Sequence, residues 1–341
     1  MRFAFTDDQK LFRDTVRALL EKACTADVVR RAWDAQSEGR SPSLWSQLAE
    51  LGVVGLTVPE AHGGLGLSEI DFVLLLEESG RAALPEPIVE TSAVGVPLLA
   101  ETANDELCRA WLPRVAAGQA RLAVGLENAA FVADAHVADL LLLQSGDELH
   151  ALPRAGVKLT PEHSVDGARR LFRVAWSPSP ATRIAAGPAA RAALARAFDR
   201  GALGASAMLL GLARHLIDVT VEYAKVRKQF GSAIGSFQAV KHHLADALVK
   251  LEFARPVVYR AAYSMSRMPE SSPLHVSMGK AYASEAAILA ARAALQCHGA
   301  IGYSYEHDLH LWMKRAWALA AAWGDAPWHR ARVGTLVLGV A

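Results

Sequence analysis

Residues 221–246 read Val221-Glu-Tyr-Ala-Lys-Val-Arg-Lys-Gln-Phe-Gly-Ser-Ala-Ile-Gly-Ser-Phe-Gln-Ala-Val-Lys-His-His-Leu-Ala-Asp246. The pattern predicts a helix ending at Arg227-Lys228, where cations meet the negative end of the helix dipole. A turn carrying Gly231 and Gly235 follows. A second helix then starts near Ser236 as N-cap, with Phe237, Val240 and Leu244 as its inner face. Such a turn exposes Arg227, backbone amides and the Gln238 amide together. That set suits a pyrophosphate, because a guanidinium makes paired charge-assisted hydrogen bonds. On these residues alone, a polar helical hairpin is the simpler reading.

Around this stretch lies a chain of 341 residues, 52% hydrophobic and 21% charged. At about 150 residues per domain that length suggests roughly two domains and ample core. With 36 Lys and Arg against 35 Asp and Glu, the net charge is +1. Nucleic-acid binding through a general positive field needs clustered cations and is disfavoured. Cys24, Cys108 and Cys297 have no paired spacing, which argues against a disulfide framework or structural zinc and for a reducing cytoplasm. Residues 1–9 place charges where a signal peptide needs an apolar run. The longest apolar stretches, Ile184 to Ala190 and Ala316 to Trp323, fall short of the ~18 residues that cross a bilayer. The expectation is a cytoplasmic protein without a membrane partner.

Thr6 reads as the N-cap of a helix holding Leu11, Phe12, Val16, Leu19 and Leu20 at helical spacing. A second helix is expected from Ser43 to Leu51, stopped by Gly52. An extended connector, Val53 to Pro59, leads into the loop Gly63-Gly-Leu-Gly66. Ser68 caps a third helix to about Ser79, with Glu77-Glu78 near its end. Further helices are expected at about Glu90 to Ala100 and Glu106 to Ala117. From about Gln119 to Ile184 the character changes to short apolar runs separated by Gly, Asp and Pro: Arg121–Gly125, Asp139–Gln144, Glu148–Leu152 and Arg170–Ala175. This is strand-and-turn punctuation. From about Pro188 the pattern is helical again, broken at Gly231, Pro256, Pro273 and Gly299. The order is α, then β, then α.

Gly63-Gly-Leu-Gly66 lacks the Lys-Ser/Thr end of a phosphate loop and reads as a turn needing positive φ. His242 and His243 point about 100° apart on a helix and cannot easily share an ion. His307 and His310 share a helical face, but no third ligand joins them, so no metal site is expected. Cys297-His298 are adjacent in sequence, which does not make a catalytic pair. Tryptophans 312, 317, 323 and 328 read as core or interface packing. Arg292, Lys314, Arg315, Arg330 and Arg332 read as scattered surface charge, with contacts to ligand phosphates as the functional alternative.

Arg227-Lys-Gln-Phe-Gly231, continuing to Phe237-Gln-Ala-Val-Lys241, resembles the C-terminal signature of the flavin-dependent acyl-CoA dehydrogenases. Phe5-Thr-Asp-Asp-Gln9, Pro59-Glu, Gly63 to Gly66 and Glu77-Glu-Ser-Gly-Arg81 resemble that family's N-terminal helical domain. Gln296-Cys-His-Gly-Ala-Ile-Gly-Tyr303 resembles its Gln-x-x-Gly-Gly-x-Gly-Tyr turn. The resemblance runs from end to end. It implies a mainly α fold with a small β-domain: an N-terminal helical domain over 1–118, a reduced, barrel-like middle β-domain over 119–186 and a C-terminal four-helix bundle over 187–341. It also implies FAD, an acyl-CoA substrate dehydrogenated between Cα and Cβ, and an electron-transfer flavoprotein as acceptor. Arg227, Gln229, Phe230, Gln238, Gln296, Gly299 and Ala300 would contact the ADP portion of a neighbouring subunit's FAD.

The departures are as informative. The family's catalytic Glu position falls on Trp323, in Ala322-Trp-Gly-Asp325. A second position used by some members falls at Gly201, in Arg200-Gly-Ala-Leu. Asp199 and Asp325 are the nearest carboxylates, with Asp325 the candidate displaced base. The segments that hold the flavin ring in the family are missing, and Val124-Gly-Leu-Glu-Asn128 and Ser164-Val-Asp-Gly-Ala-Arg169 stand in their place. The chain thus resembles the short actinobacterial subunits of α2β2 steroid-side-chain acyl-CoA dehydrogenases, with a paralogous partner holding the ring and the base. The alternatives are a homo-oligomeric enzyme using Asp325 and a non-catalytic scaffold or CoA-binding subunit.

Overall fold

A computed structural model describes residues 4–34 and 39–339, so the first three residues of the N-terminal reading lie outside the described residues. The chain divides into two compact units: Met1–Val29, Val73–Leu84 and Ala205–Ala341 in one, Arg30–Phe72 and Pro85–Gly204 in the other. The helices are α1 (Asp7–Ala23), α2 (Ala26–Arg31), α3 (Pro42–Glu50), α4 (Glu69–Arg81), α5 (Val96–Thr102), α6 (Asp105–Ala116), α7 (Gly187–Val226), α8 (Gln238–Arg267), α9 (Ser272–His298), α10 (Leu309–Ala321) and α11 (Ala326–Leu338). The strands are β1 (Leu122–Gly125), β2 (Val132–Ala133), β3 (Leu140–Ser145), β4 (Glu148–Pro153), β5 (Lys158–Glu162), β6 (Leu171–Ala175), β7 (Arg183–Ala186), β8 (Lys228–Gln229) and β9 (Ser232–Ala233).

In the first unit, Thr6 caps α1 as expected. Its hydroxyl accepts the Gln9 N–H, and the Gln9 side chain accepts the Thr6 N–H at 2.8 Å. Helix α9 packs against α8, α10 and α11. It buries Ala281, Ala283, Ala286, Ala287, Ala290, Ala291, Ala293 and Ala294, a small-residue surface that lets neighbouring helices approach from several sides. Backbone meets backbone where α4 crosses α7: a Cβ on Gly211 would lie 1.9 Å from Glu77 O, and one on Gly80 would lie 2.0 Å from Met208 O. Only glycine permits that approach.

Pro256 does not break the chain, contrary to the sequence expectation. Helix α8 runs through it, and burial of Leu251, Ala254 and Val258 holds both halves against their neighbours, outweighing the lost hydrogen bond. A second correction concerns length and hydropathy. Helix α7 carries an 18-residue window of mean hydropathy 1.3, enough to cross a membrane by composition, but 78% of that window is buried, as in an inner bundle helix.

In the second unit, β1-β3-β4-β7 form one sheet, with β1 parallel to β3, and β2-β6-β5 form another. Ala123, Leu141, Leu143 and Leu152 of the first sheet share a core with Val132, Leu159, Phe172 and Val174 of the second. The four apolar runs read from sequence became β1, β3, β4 and β6. Strand β5 escaped notice because it is half-exposed and contains Pro161, which its edge position tolerates. In the loop before α4, Gly63 and Gly66 sit at φ +81° and +60°, which is the turn reading.

Candidate functional site

The opening stretch folds into a helix, a tight hairpin and a helix. Helix α7 ends at Val226, and Arg227 N–H closes on Tyr223 O. Gln229 pairs with Ser232 across a two-residue turn, Phe230-Gly231, with φ of +51° and +82°. Two successive positive φ values make the hairpin turn whose twist matches its strands. Glycine adopts it freely, whereas phenylalanine there is strained. Phe230 is 94% exposed, and its ring lies nearly perpendicular to that of Phe237, centroids 6.2 Å apart. Ser236 is not the N-cap. It belongs to a 3-10 turn, Ile234–Ser236, and α8 opens at Gln238 with no side-chain cap.

The polar groups of this turn are largely unengaged. Among the described residues the Arg227 guanidinium has no hydrogen-bond or ion-pair partner, and neither do the side-chain amides of Gln238 and Gln296. Gln229 Nε2 reaches only its neighbour's Lys228 O. Gln296 lies exposed at the end of α9, which Gly299 terminates at φ +65°. Ala300 follows in a 3-10 turn, where Ile301 and Tyr303 are also exposed. The ends of α7 and α9 are joined by Tyr223 stacked on His298, centroids 4.3 Å apart. Burial lowers the His298 pKa, and the neutral ring donates from Nδ1 to Ala294 O at 2.8 Å.

The α10–α11 loop is arranged differently. Trp323 adopts φ +56° and Gly324 +84°. The fully buried Lys280 donates to Ala320 O at 2.9 Å, Gly324 O at 2.8 Å and Ser284 Oγ at 3.1 Å. His329, also buried, bonds from Nε2 to Trp323 O at 2.8 Å. Burial pushes the His329 pKa down to about 4, so Nε2–H of the neutral ring is the donor. Asp325, the candidate base, is the N-cap of α11: its Oδ1 accepts the Trp328 N–H at 2.9 Å. Asp199 is buried in α7, and neighbouring Arg200 is paired with Glu69 and Glu101.

The segments standing where the ring motifs are absent tie their own side chains into local turns. Glu127 Oε1 accepts the Gly146 N–H at 2.6 Å, and Asp166 Oδ1 accepts the Ala168 N–H at 3.0 Å. Among the described residues no group of three His, Cys, Asp or Glu could hold a metal. Trp312 donates to Arg81 O, Arg315 donates to Leu84 O, Arg330 pairs with Glu285 and Lys314 lies over the Tyr305 ring. Sequence reasoning missed Lys280 and His329. It also missed how Glu77 and Glu78 are used. Glu77 accepts from Tyr259 OH at 2.6 Å and from Arg255, and burial raises its pKa. Glu78 accepts two bonds from Arg17 at 2.9 and 2.5 Å.

Whether this surface suits an ADP moiety turns on what it leaves unsatisfied. Among the described residues it leaves a guanidinium and amides without partners and an aromatic ring exposed, groups able to hydrogen-bond a pyrophosphate and to stack on a ring.

The profile of the acyl-CoA dehydrogenase N-terminal domain matches residues 6–119, and that of the acyl-CoA dehydrogenase C-terminal domain matches residues 190–337. The acyl-CoA dehydrogenase IpdE2 of Mycolicibacterium smegmatis is 33% identical over 312 residues, covering 91% of this chain and 93% of its own. The ChsE4-ChsE5 complex of Mycobacterium tuberculosis contains a chain that superposes with a TM-score of 0.87 at 22% identity, covering 100% of both. A chain of the Tcur3481-Tcur3483 steroid ACAD does so with a TM-score of 0.87 at 24% identity, covering 98% of both. The chain belongs to the acyl-CoA dehydrogenase family, whose members are FAD-dependent oxidoreductases acting on CH–CH bonds.

Proposed function

We propose that this chain is one subunit of a heteromeric acyl-CoA dehydrogenase of the cytoplasm, paired α2β2 with a paralogous subunit, and that its share of the active centre is the ADP end of the partner's FAD. The observation that carries this is Phe230, exposed and in a left-handed conformation close in sequence to an Arg227 that has no partner among the described residues. Among the described residues nothing rewards that strain, and a ligand arriving from outside would be the physical reason to keep it. The heteromeric relationship is supported by the similarity to chains of the ChsE4-ChsE5 complex and of the Tcur3481-Tcur3483 steroid ACAD.

When bound, FAD supplies the hydride acceptor for dehydrogenation of an acyl-CoA thioester, with an electron-transfer flavoprotein taking the electrons onward. In this reading Arg227 presents paired N–H donors to the pyrophosphate, and Phe230 presents a ring face. The amides of Gln229, Gln238 and Gln296 and the tight turn at Gly299-Ala300 complete the surface. The α10–α11 loop offers no base: Trp323 has no side-chain group that takes a proton at neutral pH, and the Asp325 carboxylate caps a helix. The base then belongs to the paralogous partner.

The test is the flavin content of the complex purified with Arg227→Ala or Phe230→Ala in this chain. The proposal expects FAD to be lost while assembly persists. Full flavin retention in both variants contradicts it.

A further inference from the structure

Away from the hairpin and the α10–α11 loop, the helical unit holds a cavity of about 570 Å³ bounded by α1, the end of α4, the middle of α7 and the approach to α10. Leu20, Val219 and Leu309 give it an apolar lining. One wall is aromatic: His215 lies flat against Trp312, centroids 4.2 Å apart and planes 8° apart. The indole is fixed in place by its Nε1–H bond to Arg81 O at 2.8 Å. Among the described residues the His215 ring makes no hydrogen bond and is held by stacking. Burial, aided by Arg81, pushes its pKa down to about 4, so at neutral pH it brings a donor and an acceptor to the cavity without a charge.

The charge around the cavity is unbalanced. Arg17 is held by Glu78 through two hydrogen bonds, and Arg81 by Asp218 at 3.0 Å, a carboxylate that Arg214 shares at 2.9 Å; on the lining itself Glu21, Glu78, Glu306 and Asp308 outnumber Arg17 and Arg81. Glu21 and Glu306 stand exposed on the lining, and Asp308 acts electrostatically on His215. An anion entering here meets the carboxylate excess, and a neutral ligand leaves it unanswered. A cation with an apolar body satisfies both the wall and the rim, the combination by which aromatic and acidic side chains recognise amines.

We propose that this cavity is a binding site for a small organic cation with a flat apolar body, an aryl- or alkylamine or an amidine, seated on the His215–Trp312 wall with its charge toward Glu21 and Glu306. It shares no residue with the surface assigned to the flavin, although His307 of its lining meets His298 beside that surface, centroids 5.0 Å apart, and it does not depend on that assignment.

The probe is benzamidine, titrated calorimetrically into the purified full-length protein, with benzyl alcohol and benzoate as neutral and anionic counterparts. Saturable benzamidine binding is expected, at least tenfold tighter than benzoate. Charge reversal by Glu306→Lys or Glu21→Lys, both at exposed positions that leave the core untouched, is expected to weaken it at least tenfold. Val219→Trp, which fills the cavity, is expected to abolish it. Benzoate binding as tightly as benzamidine, benzamidine binding indifferent to both charge reversals, or no saturable binding at all would overturn the proposal.

Discussion

Two aromatic residues of the helical unit, Phe230 and Trp323, share the left-handed backbone conformation, at φ +51° and +56°, yet their surroundings are opposite. Around Phe230 the hairpin leaves Arg227, Gln238 and Gln296 without partners among the described residues, and the ring almost wholly in solvent. Around Trp323 the backbone carbonyls of residues 320, 323 and 324 are held by the buried Lys280 and His329, and Asp325 caps the next helix. A left-handed non-glycine residue costs on the order of 1–3 kcal/mol. At Trp323 an internal network of hydrogen bonds sustains it. At Phe230 nothing among the described residues does. The Trp323 segment is completed within the chain, and the Phe230 segment is the one we propose is completed by a ligand.

The sharpest way to break this contrast is to remove the network. Lys280→Met leaves two buried carbonyls without a donor and is expected to destabilise the protein by roughly 3–5 kcal/mol. Urea unfolding measures it, and a loss below about 1 kcal/mol would mean that the lysine does not hold the loop. Acid comes next. His215 and His329 have folded pKa values near 4, below the ordinary value of about 6.5. The unfolded chain therefore binds their protons more readily. Stability is full above pH about 6.5 and declines as pH falls toward 4. His329→Gln is expected to flatten that decline in thermal melts taken across the range.

Smaller effects sharpen the comparison at single groups. Asp325→Ala removes a helix cap and should cost about 1 kcal/mol, whereas Asp325→Asn keeps the cap and should cost less than about 0.5 kcal/mol. Turnover of the assembled enzyme should survive Asp325→Asn. Its abolition with stability intact would make Asp325 a base after all. Smallest of all, Phe230→Gly relieves strain at an exposed position, so unfolding free energy should stay level or rise by up to about 1 kcal/mol while flavin affinity of the complex falls. A matched fall in stability would show that the ring is structural.

The exposed hairpin was legible in the sequence because its signals are local: a cationic helix end, Gly231, and a run of polar residues next to one another. Even there the start of α8 was misplaced, since Ser236 is absorbed by a 3-10 turn that the residue types do not announce. The saturated loop was illegible for a physical reason. Lys280 bonds to carbonyls 40 and 44 residues away, and a carbonyl carries no residue-type signature. His329 likewise answers a backbone atom. Pro256 was read as a break because local propensity outranks packing when only the sequence is in view. The small sheets were half legible: the buried runs declared themselves, and the exposed edge strand with Pro161 did not.

The most direct measurement is flavin bound per chain, and turnover with acyl-CoA, for this protein purified alone and co-purified with a paralogous acyl-CoA dehydrogenase subunit. The account predicts no stoichiometric FAD and no turnover in the lone chain, with both appearing in the complex. Full FAD occupancy and turnover by the lone chain would contradict it.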